Sequence, residues 1–171
     1  SQQRYNNLPM AALMLNGAAK ALESYHNPSL EGSVYSTLGD IYFKNILYSN
    51  SYDYYSHAAE CFSNAGLENE QYLALRNKGW SAFKLHHYDE AKYYLNLVYE
   101  YSTQQDDREL SVDILQKLCD IYLYTKDIAK LNSSIELLNG YTDSIDNLLS
   151  YYCLKSIVCS LNNDTESAMH C

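Results

Sequence analysis

The sequence predicts an all-α fold, a solenoid in which antiparallel helix pairs follow one another along the chain. Three observations support this prediction. The 171 residues include only two prolines and six glycines, which suits long helices joined by short turns. Side-chain size recurs at an interval of 40 residues. Within each repeat, apolar side chains lie three and four residues apart, which places them on one face of a helix.

The 40-residue repeat is clearest in residues 35–42, which read YSTLGDIY. Tyr35, Leu38 and Tyr42 share one helical face, and the glycine between them lets a neighbouring helix approach closely. Adding 40 and then 80 keeps most positions similar in size and polarity. The corresponding residues are Gly39, Gly79 and Cys119; Ser51, Ala91 and Leu131; Tyr55, Leu95 and Ile135; and Ala58, Val98 and Leu138. One position departs from its column, because Lys78 stands where the other units have leucine.

Residues 35–42 resemble the first half of a tetratricopeptide (TPR) unit, which reads aromatic-x2-Leu-Gly-x2-Tyr in this sequence. The resemblance extends over nearly the whole chain, although no tryptophan opens a first helix and no proline closes a unit. A typical TPR unit has about 34 residues, so the helices must be longer here. The chain is therefore similar to the longer-helix TPR arrays of bacterial signalling and regulatory proteins. This resemblance implies a right-handed superhelix whose concave groove is lined by the first helix of each unit.

The repeat register predicts a single TPR-like domain over residues 1–171. Its parts are a partial unit at 1–29, units at 30–69, 70–109 and 110–146, and a partial unit at 147–171. Gly66 is expected to cap the end of one helix, and Asp107 and Asp127 to cap the starts of two others. The residues from Ser102 to Asp107 are expected to form a polar connection. Nine helices are predicted: Met10–Tyr25, Leu30–Asn45, Tyr48–Ala65, Asn69–Leu85, Tyr88–Tyr101, Arg108–Thr125, Ile128–Leu138, Asp143–Leu161 and Thr165–Cys171.

Charge and composition exclude several classes of partner. The net charge of −9 argues against direct binding to nucleic acid and to anionic membrane surfaces. No apolar run approaches the roughly 18 residues of a membrane-spanning helix, so we expect no membrane insertion. The five cysteines lie far apart and lack the spacing of a zinc site. Unpaired thiols favour the cytoplasm, but an envelope-facing sensor stays open because the chain resembles a fragment of a longer protein.

Catalytic and cofactor-binding motifs are weak or absent, and the chain is predicted not to be an enzyme. His86 and His87 fall in a turn without a nearby carboxylate or cysteine at metal-ligand spacing. Acidic pairs at helix starts are explained by the positive end of the helix dipole. The sequence contains no phosphate-binding glycine loop and no nucleophile elbow. We therefore predict no metal and no cofactor.

The candidate binding residues follow from the TPR resemblance, which implies a groove lined by first helices. The second full unit stands out, because it contains tryptophan and arginine, which are enriched in binding hot spots. Arg76 and Lys84 are expected to bind a carboxylate or an acidic side chain of the ligand. Trp80 and Phe83 are expected to bind an apolar side chain. The alternative is that the aromatic rings pack between repeats and the charges are solvated. The full set is Asp40, Lys44, Arg76, Asn77, Trp80, Phe83, Lys84, Gln116, Asp120 and Tyr124.

Two functions remain open at this stage. The first is a scaffold that binds a protein or peptide in the groove, as a monomer or a homodimer. The second is the ligand-sensing region of a bacterial transcriptional regulator or signalling protein whose effector segment lies outside this sequence. Binding of acidic chaperone C-termini is not expected, because Ser36 and Asp40 occupy the positions where that class of TPR domain has lysine and asparagine, and the Asp40 carboxylate would repel an acidic ligand.

Overall fold

The structure is a computed structural model that describes residues 10–23, 25–141 and 149–160. Throughout these residues the chain consists of helices and turns without a strand, so the predicted all-α fold is confirmed. The helices are α1 Met10–Glu23, α2 Pro28–Lys44, α3 Tyr48–Asn64, α4 Glu68–Lys84, α5 Tyr88–Gln104, α6 Arg108–Tyr124, α7 Ile128–Asn139 and α8 at residues 149–160.

The chain divides into two compact units, residues 1–98 and 99–171, and the boundary falls within α5. In the first unit α1 packs on α2, α2 on α3 and α3 on α4. In the second unit α6 packs on α7. Helices that follow one another in sequence are therefore neighbours, as a helical repeat requires. The predicted repeat boundaries stay a prediction.

Helices α2 to α6 each have 17 residues, and successive helices from α2 to α7 begin 20 residues apart. Two such helices and their turns make one 40-residue repeat. The start of α2 corrects a predicted boundary. This helix was predicted to begin at Leu30, but Pro28 is its first residue, because proline at the first helical position needs no hydrogen-bond acceptor. The Asn27 side chain caps this helix by accepting a hydrogen bond from the Leu30 N–H at 3.2 Å.

The end of α5 corrects a second boundary. Ser102 was expected in a polar connection, but α5 continues through it to Gln104 and its side chain is fully buried. Its hydroxyl lies 2.8 Å from that of Ser111 on α6, so the polar group is satisfied inside the second unit. Asp107 and Asp127 cap α6 and α7 as predicted, each accepting a backbone N–H. The predicted helix Thr165–Cys171 lies outside the described residues.

The turns repeat one backbone geometry every 20 residues. At the end of α2 the N–H groups of Ile46 and Leu47 donate to the carbonyls of Phe43 and Tyr42, which is the Schellman pattern. The same pair of bonds closes α3, α4, α5 and α6. One residue in each turn has a positive φ, and a single one of these is glycine. They are His26, Ile46, Gly66, His86, Asp106 and Lys126.

The substitution Ile46→Gly is expected to stabilise the protein, because isoleucine is a poor residue at its φ of 65°. The left-handed backbone conformation destabilises a folded chain by about 1–2 kcal/mol when the residue is not glycine. Glycine removes this strain, but its greater freedom in the unfolded chain offsets about 0.5–1 kcal/mol of the gain. The Ile46 side chain is 54% exposed, so little burial is lost. Urea denaturation should show a gain of about 0.5–1 kcal/mol. The reverse change, Gly66→Ile at a φ of 69°, should lose stability, and a lower midpoint for Ile46→Gly would contradict this account.

One position of the repeat is occupied by the small residues Gly39, Gly79 and Cys119, and we call it the small column. It allows neighbouring helices to approach closely, as predicted. A Cβ on Gly39 would lie 2.6 Å from the Tyr55 ring of α3, and one on Gly79 would lie 3.1 Å from the Tyr94 Cβ of α5. The third member, Cys119, is fully buried. At both glycines the neighbouring helix fills the space that a larger side chain would need.

Two aromatic rings explain why Lys78 can occupy the repeat position where the other units have leucine. Its ammonium lies 4.9 Å from the centre of the Tyr52 ring on α3 and 4.4 Å from the centre of the Tyr94 ring on α5. The Tyr52 hydroxyl donates a hydrogen bond to Glu90, and burial raises the pKa of Tyr52 above its ordinary value. Cation–π contacts therefore replace the apolar packing that leucine provides at this position.

Candidate functional site

A cavity of about 230 Å³ lies in the first compact unit between α2 and α4, and we call it the α2–α4 cavity. Its walls combine three aromatic rings with an acidic, a basic and an amide side chain. The lining residues are Asp40, Phe43, Tyr55, Arg76, Asn77 and Trp80. Four of the ten predicted site residues, Asp40, Arg76, Asn77 and Trp80, are thus brought together.

The helical repeat explains why these side chains meet. Asp40 and Trp80 occupy the same position in successive units, exactly one 40-residue repeat apart. Arg76 lies four residues before Trp80 on α4, so both point to one face of that helix. Five of the six lining residues therefore come from α2 and α4, the helices that the TPR resemblance expects to line a groove.

Tyr55 lines the cavity although it belongs to the second helix of its pair, and it is not one of the site residues predicted from the sequence. Its ring is 3% exposed and lies against Gly39, where any Cβ would collide with it. This close approach lets the Tyr55 hydroxyl donate a hydrogen bond to Asp40 Oδ1 at 2.6 Å. Burial, followed by this bond, raises the pKa of Tyr55 above its ordinary value. The one signal in the sequence was that Leu95 and Ile135 replace tyrosine in the later units.

The polar groups of the cavity have defined partners. The Arg76 Nε donates a hydrogen bond to Asn77 Oδ1 at 3.1 Å, which orients the amide of Asn77. Asp40 is exposed, and its carboxylate is held by Tyr55. The lining therefore contains one negative and one positive side chain, whose formal charges cancel.

Phe83 and Lys84 extend the site beside the cavity without lining it. The Phe83 ring packs 4.9 Å from the Trp80 ring and 6.1 Å from the Tyr88 ring of α5, measured between centroids. The Lys84 ammonium lies 4.8 Å from the centre of the Trp80 ring. Cation–π contacts of this kind contribute about 0.5–1 kcal/mol at exposed sites. Trp80 is thus fixed in place by its neighbours.

The remaining predicted residues do not line the α2–α4 cavity. Lys44 is the exposed last residue of α2. Gln116, Asp120 and Tyr124 lie on α6 in the second unit, where the first is half-buried and the other two are exposed. Their assignment to a binding groove stays a prediction.

No cluster of three or more potential metal ligands occurs within residues 10–23, 25–141 and 149–160. His86 and His87 are exposed in a turn, as predicted, and the His86 ring nitrogen Nδ1 lies 2.7 Å from the Tyr88 hydroxyl. The described cysteines, Cys61, Cys119, Cys153 and Cys159, are free thiols. Among the described helices, none combines the length and apolarity needed to cross a bilayer.

Paired helices of uniform length, short Schellman turns and a small residue at each close contact define a TPR-like helical repeat protein. No protein-family model matches the chain, and no curated protein matches it. Solved structures do. A STAND (signal transduction ATPase with numerous domains) protein with a tetratricopeptide repeat sensor from Pyrococcus horikoshii aligns with a TM-score of 0.77 over 91% of this chain, at 19% identity. BtubC (BKLC) from P. vanneervenii aligns with a TM-score of 0.72 over 99% of this chain and 77% of its own, at 15% identity.

These similarities confirm the TPR-like repeat fold predicted from residues 35–42. At such low identity they carry information about the fold alone. The chain spans a quarter of the length of the P. horikoshii protein. The fold is that of a TPR-like helical repeat.

Proposed function

We propose that this chain is a protein-interaction scaffold that binds a peptide segment of its partner on the face formed by α2 and α4, without catalysing a reaction. The observation that carries the proposal is the α2–α4 cavity itself. Its volume of about 230 Å³ is below the range of roughly 300–1,000 Å³ that is usual for small-molecule sites. A cavity of this size suits one side chain of a larger ligand.

The residue types in and beside the cavity support binding to a protein. Tryptophan, tyrosine and arginine dominate the energetics of protein interfaces, and Trp80, Tyr55 and Arg76 supply all three here. The Lys84 ammonium, which is stacked on the Trp80 ring, places a positive charge next to the α2–α4 cavity, although the chain as a whole is acidic. We therefore expect the flanks of the bound segment to be acidic.

The test is a selection from a random nonapeptide library, followed by fluorescence titration of the selected peptides. Trp80 is the single tryptophan of the chain, so its emission reports binding at this site directly. The substitution Arg76→Glu should weaken binding at least about tenfold, the effect of losing one interface hot spot. Arg108→Glu makes the same charge change on α6 and should leave binding unchanged. If both variants lose the same amount of affinity, or if Arg76→Glu leaves tight binding unchanged, the peptide does not bind on the face formed by α2 and α4.

A second candidate function is the sensing region of a signalling protein. It is favoured by the similarity to a protein whose TPR region is a sensor. Hydrogen exchange with and without a selected peptide separates the two functions. A scaffold should gain protection in α2 to α4 alone, whereas a sensor should also change exchange in α6 and α7, which lie in the second unit.

A further inference from the structure

We infer that the peptide segment bound at the α2–α4 cavity continues onto the turn between α2 and α3, where one of its apolar side chains packs on Ile46. The inference rests on the proposed function and adds a second contact, outside the cavity, to the one already described. Its basis is an isoleucine that is unfavourable in the unbound protein in two ways, through its backbone conformation and through its exposure.

Ile46 combines strain with exposure at a position where the other turns that the structure describes carry no apolar side chain. Its φ of 65° lies in the left-handed region, where a β-branched residue is a genuine outlier. The equivalent residues of the other described turns are two histidines, a glycine, an aspartate and a lysine. The Ile46 side chain is also 54% exposed. Exposure alone would not distinguish it, since single apolar residues are common on protein surfaces, but strained residues occur preferentially at ligand-binding sites.

The turn that carries Ile46 begins at the wall of the α2–α4 cavity. Phe43 lines the cavity, and its carbonyl accepts a hydrogen bond from the Ile46 N–H at 3.0 Å. The Phe43 ring also packs against the ring of Tyr48, with 5.1 Å between the ring centroids. Both rings are half-buried, so part of each is accessible to a ligand. The backbone of Ile46 is therefore fixed relative to the cavity.

The next repeat indicates where the side chain at this turn position lies. The equivalent residue there is His86, whose ring centroid lies 5.8 Å from that of Tyr88. The Tyr88 ring lies in turn 6.1 Å from the Phe83 ring. Because the two turns share one backbone geometry, the same arrangement places Ile46 beside Tyr48. An apolar path then leads out of the cavity and onto the turn.

This path, which we define as Phe43, Tyr48 and Ile46 and call the turn strip, suits an extension of a bound segment better than a separate partner. A stable protein interface buries about 800 Å² on each side, and one exposed isoleucine beside two half-buried rings offers far less. An extended chain advances about 3.3 Å per residue, so the bound peptide reaches Ile46 roughly two residues beyond its cavity anchor. An apolar side chain there would remove Ile46 from water, which is favourable, whereas a charged one would be desolvated without a partner.

The substitution Ile46→Gly separates this contact from stability. We expect the variant to be more stable than the wild type and yet to bind the selected nonapeptides about fivefold more weakly in the Trp80 fluorescence titration, because the peptide no longer buries this side chain. Ile46→Asn also suits left-handed backbone and should weaken binding by a similar factor. Lys126→Gly is the matched control, because it replaces a left-handed residue with a φ of 57° in the second unit. Its affinity should equal that of the wild type.

Alanine replacement along the tightest selected peptide identifies the residue that contacts Ile46. At one apolar position, roughly two residues from the position whose replacement weakens binding most, alanine should lower affinity for the wild type more than for Ile46→Gly. A direct contact produces such coupling in a double-mutant cycle. If Ile46→Gly binds as tightly as the wild type, or couples to no position of the peptide, the inference is overturned and the proposed function stands. A library that yields no binding peptide would refute the proposed function, and the inference with it.

Discussion

Replacing Gly79 by leucine is expected to lower the melting temperature by roughly 2–10 °C, because overpacking a close helix contact costs about 1–3 kcal/mol. A Cβ at this position would lie 3.1 Å from the Tyr94 Cβ, 3.3 Å from the Leu95 Cγ and 3.4 Å from the Ala91 carbonyl oxygen. These atoms belong to the backbone and the inner side chains of α5, so they cannot move aside as the end of a flexible side chain can. The remaining leucine atoms would therefore force α4 and α5 apart.

Gly17→Leu is the matched control for this prediction. Gly17 is also a glycine within a helix, but in the part of the chain that the structure describes no atom lies within 4 Å of a Cβ built on it. Leucine should be tolerated there or slightly stabilising, because it is a better helix former than glycine. Thermal unfolding followed by circular dichroism measures both variants. If Gly79→Leu melts at the same temperature as the wild type, the small column does not mark close helix contacts and the repeat register is wrong.

The protein is expected to lose stability steeply between pH 9 and pH 12. Cys119 is the main group in the lower part of this range, and Cys61, whose thiol pKa burial also raises, acts in the same direction. Burial raises the pKa of the Cys119 thiol from the ordinary value of 9.0 to about 12, with a smaller effect from Asp120. Above pH 9 the unfolded chain loses this proton while the folded chain keeps it. The contribution of the Cys119 thiol to the free energy of unfolding is therefore fully present below pH 9. It decreases as the pH approaches 12, by at most about 1.4 kcal/mol per pH unit.

Cys119→Ala isolates this contribution. Alanine keeps the position small, so the repeat contact survives, and the variant should lose less stability than the wild type between pH 9 and pH 10. Above pH 10 both proteins should also lose stability through their buried tyrosines, while the wild type continues to lose more than the variant until about pH 12. Burial and the neighbouring Tyr141 raise the pKa of Tyr99 to about 12, and burial also raises those of Tyr52 and Tyr55. Urea midpoints measured at half-unit steps of pH give the comparison.

Cys153→Ala is the control for the alkaline series, because the Cys153 side chain is exposed. Its stability should follow that of the wild type across the whole range. A wild-type curve that stays flat from pH 9 to pH 10, or a Cys119→Ala curve that coincides with it, would show that the buried thiol does not control alkaline stability.

The first two 40-residue repeats differ in what fills the space at Gly39 and at Gly79, and this difference connects stability to the α2–α4 cavity. At Gly39 the open space admits a tyrosine whose hydroxyl reaches Asp40. At Gly79 the space is filled by the helix α5 itself. A substitution at Gly39 should therefore disturb the α2–α4 cavity as well as helix packing, whereas one at Gly79 should act mainly through packing.

The sequence by itself determined the helical class, the 40-residue period, the small column and the capping residues. These features are local or repeat by simple translation, so a pattern of side-chain size is enough to read them. The start of α7 and the caps at Asp107 and Asp127 were predicted to the residue. The predicted loop at Ser102 was wrong because a polar residue was taken for an exposed one. In the structure a second serine, Ser111, satisfies its hydroxyl.

The tertiary structure alone decided which side chains share a cavity. Tyr55 reaches Asp40 from another helix through the space left by Gly39, and Lys78 is accommodated between two tyrosine rings. Four predicted residues line one cavity, Phe83 and Lys84 lie beside it, and Lys44 is not among its lining residues. The physical reason is distance along the chain. Periodicity fixes the face of a helix on which a residue lies, but contacts between residues 15 to 40 positions apart depend on how closely two helices approach.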